Sequence, residues 1–92
     1  MIMYACAVFD RKVNAYMKPQ FYRSKGEAIR SWIDAVGAAG EDAVPFRRHA
    51  EDYVFVYLGT YDDALGAFTN AGLVPEILMT ALDCVSISGS VN

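Results

Sequence analysis

Three rings at alternating positions, with five cations and one more ring upstream, are the side chains of this sequence that could do chemistry together. Tyr53, Phe55 and Tyr57 occupy every second place in Tyr53-Val-Phe-Val-Tyr-Leu58. In a strand, alternate side chains share a face, so the rings line one side and Val54, Val56 and Leu58 the other. Arg11, Lys12 and Lys18 flank Tyr16, and Arg47 and Arg48 lead toward the ring-bearing strand. Such a set grips single-stranded nucleic acid: cations follow the phosphates and rings stack on bases, each stack contributing about 1–3 kcal/mol. The same rings suit a partner subunit or a second layer of the same chain, since aromatics are favoured wherever large burial is on offer. The aliphatic side has the composition expected beneath a helix.

The other chemistry-bearing residues point to solvated turns and packing. Asp62 and Asp63 lack the alternating acids and closing glutamate of a calcium loop, and acids favour turns for their own backbone hydrogen bonds. His49, the one histidine, has no Ser or Cys motif to make it a catalytic base, so the chain is not expected to be an enzyme. Gly26 and Gly37 do not belong to a phosphate loop, because no Gly-rich run leads into Gly-Lys-Ser or Gly-Lys-Thr. Cys6 and Cys84 form no CxxC pair and read as small buried apolar residues, with a Cys6–Cys84 bridge as the alternative. No cofactor and no metal are implied.

The 92 residues make one domain, with a core expected over residues 1–70 and an extension of uncertain structure over residues 71–92. Size scaling gives a radius of gyration of roughly 12 Å. A hydrophobic content of 54% is high for this length, so either the core is rich in rings or apolar surface is covered on association, as in a homodimer. No apolar run approaches the roughly 20 residues of a membrane span, and the N-terminus lacks the pattern of a secretory signal. The expectation is a soluble cytoplasmic protein. The net charge of −3 hides an asymmetry: all eight basic residues precede His49 and face five acids up to Ala50, whereas six acids and no base follow.

The elements that must position these residues follow from periodicity. Ile2–Phe9 is apolar on both strand faces, which suits a central strand. Asp10-Arg11-Lys12 is a polar turn and Val13–Met17 a second strand, ended by Pro19, which lacks a ladder donor. Ser24-Lys-Gly-Glu27 is a capping box, and Ala28, Ile29, Trp32, Ile33 and Val36 make one helical stripe, predicting a helix over 25–38. Residues 39–51 form a surface connection anchored by Phe46. The ring-bearing strand runs to Gly59, Tyr61–Gly66 is a turn, and Ala67-Phe-Thr begins a fourth strand. Pro75 and Glu76 suit the start of a short helix through Leu82, Cys84–Ile87 a short strand, and residues 89–92 a loose tail. The fold class is α+β: a small antiparallel sheet, roughly ββαββ, with one helix on the aliphatic face.

With these residues laid out, the chain resembles the small nonstructural protein of gokushoviruses, single-stranded DNA phages of the microvirus group. The matching landmarks are Val8–Lys12, Tyr16 with Pro19, Ser24–Arg30, Asp34–Val36, His49 with Glu51–Tyr53, and Leu58–Asp63 with Gly66, in order over residues 3–68. Ala50, where the family tends to have proline, and the Gly37–Val44 stretch depart from its pattern. The resemblance implies a phage protein made in the bacterial cytoplasm and absent from the virion, acting in genome replication by binding DNA or favouring single-strand synthesis and packaging. It supplies no catalytic residues.

The leading expectation is therefore a homodimeric accessory factor binding single-stranded DNA. Arg11, Lys12, Lys18, Arg47 and Arg48 would meet phosphates, and Tyr16, Tyr53, Phe55 and Tyr57 would stack. Its rivals are an adaptor binding the phage initiator or a host replication or defence protein through the aromatic face, and a structural role in assembly.

Overall fold

Two long strands run through the middle of the sheet, and each outer track changes strand halfway along. The computed structural model describes residues 1–38 and 40–91, without the side chains of residues 42 and 87–91. Strand β1 (Ile2–Asp10) pairs antiparallel with β4 (Tyr53–Asp62), from Ile2 opposite Asp62 to Asp10 opposite Tyr53. Outside β1 lie β2 (Ala15–Tyr16) and then β3 (Gln20–Tyr22), separated by the stretch that holds Pro19. Outside β4 lie β6 (Glu76–Thr80), along Val54–Tyr57, and β5 (Ala67–Asn70), along Gly59–Asp62. The expected central β1, the polar turn after it and the fourth strand at Ala67 are all present.

The ring-bearing strand does not stop at Gly59. It passes through a bulge there, with Leu58 as the extra residue between the Cys6–Tyr57 and Ala5–Gly59 pairs. Gly59 has φ +149°, and a side chain on it would collide with the Thr69 carbonyl oxygen, so only glycine lets β4 and β5 approach this closely.

Helix α1 (Lys25–Gly37) begins at the predicted cap, where the Glu27 N–H donates to Ser24 Oγ at 3.0 Å, and buries Ala28, Trp32 and Val36. Residues 41–52 are more ordered than a plain connection: α2 (Val44–Arg48) sits between two short 3-10 turns, Glu41–Ala43 and Ala50–Asp52. Phe46 is its anchor, as expected, packed 5.2 Å from Trp32 and 5.0 Å from Tyr53 between ring centroids.

The C-terminal expectations are reversed. Glu76–Thr80 is strand β6 where a helix was expected, and Cys84–Ile87 lies within helix α3 (Ala81–Val91) where a strand was expected. Thr80 caps α3 reciprocally: its Oγ1 accepts from the Asp83 N–H at 3.0 Å, and its N–H donates to Asp83 Oδ2 at 3.2 Å. Residues 89–91 continue that helix, and Asn92 lies outside the described residues.

The largest correction concerns the faces. All three helices pack on one side, and that side carries Phe55, Cys6, Tyr53 and Tyr57. The helices therefore cover the aromatic side of β4, not the aliphatic one. Cys6 and Cys84 are free thiols buried in this same core, as the packing reading expected. Burial raises both thiols to about 11, with Asp83 adding to the effect on Cys84. The radius of gyration, 13.7 Å, exceeds the globular expectation because the molecule is elongated, 45 × 26 × 21 Å along its principal axes. No described helix is long and apolar enough to cross a membrane.

Candidate nucleic-acid interface

Of the three possible coverings for the Tyr53–Phe55–Tyr57 face, the second layer of the same chain is the one present. Phe55 is 3% exposed and stacks on Trp32, with Tyr22 edge-on to it at 6.2 Å. Tyr53 meets Phe46 edge-on, and its hydroxyl is raised above its ordinary value by burial and then by Asp10. Tyr57 lies against Tyr4 at 5.9 Å, and Lys25 Nζ sits 4.4 Å above its ring. Lys25 is itself held by Glu76 at 2.9 Å, which ties α1 to β6 and raises the lysine above its ordinary value. Phe55 is therefore core, not a stacking surface, and Tyr53 and Tyr57 pack half-buried against it.

The predicted cations separate into two groups. Arg47 is structural: its Nη1 donates to the Val36 carbonyl at 3.1 Å and to the Ala38 carbonyl at 2.5 Å. These carbonyls end α1, whose C-cap residue Ala38 has extended backbone, so a charged donor takes the place of a glycine cap. Arg48 is exposed beside it on α2. Arg11 and Lys12 are exposed in the β1–β2 turn, where the Arg11 N–H donates to Asp52 O at 2.8 Å, and Lys18 is exposed in the β2–β3 link, where the Met17 N–H donates to Val8 O at 2.7 Å. Lys12 shares a hollow with Asp10, His49, Glu51 and Asp52, so acids of the second half interleave with the basic turn.

Between that edge and α1 lies a groove of about 270 Å³. Its floor is built from Trp32, Phe55, Tyr22 and Phe46, and its lip carries Lys18, Gln20 and Ser31. The groove exists because the outer track is broken: Pro19 lacks a ladder donor, so Lys18 and Pro19 interrupt the pairing between Met17, bonded to Val8, and Gln20, paired with Cys6. Among the predicted site residues, Lys18 and Phe55 meet here, Phe55 as floor. Tyr16 lies on the opposite sheet face, 48% exposed and 4.6 Å from Phe9. Sequence reasoning missed Trp32, Tyr22, Gln20 and Ser31 as lining residues. The available signal was Trp32, the one tryptophan, on a helical stripe whose other members are aliphatic.

Chemically, the groove offers aromatic surface, one ammonium and two short polar groups. These suit a planar heteroaromatic ring carrying an anionic group, and a nucleotide is such a molecule.

A family described as Phage ORF5 protein matches residues 3–84. No curated protein and no solved structure matches the chain.

Proposed function

The chain belongs to the phage ORF5 protein family, and on that premise we propose that it is a non-enzymatic phage accessory protein of genome replication that binds single-stranded DNA along its β2–β3 edge. The ordered motifs over residues 3–68 support a gokushovirus source, and with it a role favouring single-strand synthesis and packaging. Its place is then the host bacterial cytoplasm, outside the virion. The observation that carries the DNA reading is the groove itself: half-buried rings of Tyr22 and Phe46 lie beside Lys18 over the Trp32 floor, and the exposed β1–β2 turn carries Arg11 and Lys12. One base enters the groove while the neighbouring phosphates follow the three cations.

The test is fluorescence anisotropy with a labelled oligothymidine at several salt concentrations. Engagement of three phosphates gives log affinity falling against log salt with a slope of about −2, from roughly −0.7 per phosphate. Binding also changes the emission of Trp32, which is the sole tryptophan. Absence of binding at low salt, or binding indifferent to salt, rules this reading out.

A second reading, an adaptor for the phage initiator or a host replication protein, is favoured by one observation. Leu73 stands fully out and Val74 is exposed in the link between β5 and β6, in the half of the chain whose six acids repel DNA. It predicts that Leu73→Asp abolishes capture of the partner by a protein that has no affinity for oligonucleotides.

A further inference from the structure

We infer that the helix-free face of the sheet is a homodimer interface, on which a second copy of this chain packs face to face. Residues paired across neighbouring strands share a face, so the registers put Phe9, Tyr16, Phe21, Tyr61, Phe68 and Ile77 together, opposite the helices. Several of these are exposed: Phe68 to 69%, Ile77 to 61% and Phe21 to 45%. Phe21, Tyr61 and Phe68 form a ring cluster, with centroids 5.8, 6.5 and 4.7 Å apart, beside a hollow of about 230 Å³ over Ala5, Leu58 and Gly59. An exposed ring cluster next to a hollow over Ala5, Leu58 and Gly59 is self-complementary: the knob of one copy matches the recess of the other.

The occupant follows from charge and area. Among the described residues, no Lys, Arg, Asp or Glu side chain is placed on this face by the strand registers. DNA would find no cation there to meet its phosphates, whereas charge depletion is the mark of the buried centre of a protein interface. Four tracks about 4.8 Å apart, and a ten-residue strand rising about 3.3 Å per residue, give a face of on the order of 600 Å². Two such faces bury on the order of 1,200 Å², which reaches the size class of stable, specific interfaces. Face-to-face sheets related by a two-fold axis pack with their strands nearly aligned. An axis running across the strands keeps the two Asp62–Asp63 ends apart, whereas an axis along them would bring like charges together, so the copies run in opposite directions. The DNA-binding edge stays open in this arrangement, and the inference does not depend on it.

Sedimentation equilibrium of the full chain tests this. The expected result is twice the 10.1 kDa chain mass for the wild type and for a Leu65→Asp control, whose site is 77% exposed on the β4–β5 turn. Phe68→Asp and Ile77→Asp, on the separate strands β5 and β6 of the face, are both expected to sediment as monomers with unchanged far-ultraviolet circular dichroism. Two positions guard against one variant failing to fold. A wild type that stays monomeric at every soluble concentration overturns the inference, as does a dimer that survives both folded variants.

Discussion

Trp32 and Phe55 lie face to face, with ring centroids 5.3 Å apart and planes within 5° of parallel. One comes from a helix and the other from the central strand, so this contact fixes how the helical layer seats on the sheet. Truncating Phe55 removes both the burial and the stack. We expect Phe55→Ala to cost about 3–5 kcal/mol in urea unfolding. A loss below about 1 kcal/mol would mean that the ring is not core.

Lys18 stands at the groove lip without the structural duty that Arg47 has. Lys18→Ala should weaken oligothymidine binding and flatten the salt slope by about 0.7, one phosphate fewer. Thermal stability should be unchanged. An unaltered slope would place the nucleic acid elsewhere.

Arg47→Ala should do the reverse. Two helix-end carbonyls lose a charged donor, at a cost of about 1.5–3 kcal/mol, and the salt slope of DNA binding stays where it was. Denaturant midpoints beside anisotropy separate the role of Arg47 from that of Lys18.

The buried thiols set an alkaline limit. Burial raises Cys6 and Cys84 from 9.0 to about 11, so the folded chain holds their protons more tightly than the unfolded chain does. Their stabilising contribution is complete below pH 9 and is lost as the pH rises toward 11. Urea midpoints should fall across that window, and a variant with Cys6→Ala and Cys84→Ala should fall less. Equal slopes for both proteins would refute the assignment.

How far the sequence could be read depended on whether a signal was local. The Ser24 capping box and the stripe ending at Val36 gave α1 almost to the residue, and Pro19 marked the break in the outer track. Alternation in β4 correctly grouped Tyr53, Phe55 and Tyr57. It could not say which face meets the helices, because Val54 and Val56 are equally apolar and equally buried. The deciding partner, Trp32, lies 23 positions away in the chain. Pro75 and Glu76 resemble a helix start, but pairing of Glu76–Thr80 with Val54–Tyr57 overrides that preference. The start of α3 is written locally in Thr80 and Asp83, a second capping pair. The groove was least legible, since it depends on an interrupted edge rather than on any motif.

The core beneath the helices draws nothing from Gly59–Asp62 or from β5. In a single copy that end is held by its own ladder and by rings at its surface, so it can fray while the helical half stays shut. In the monomeric Ile77→Asp variant, deuterium should enter the amides near Tyr61 well before those near Val56. The hairpin tip at Asp63–Gly66 is correspondingly the place where added residues would be tolerated without disturbing the rest of the chain.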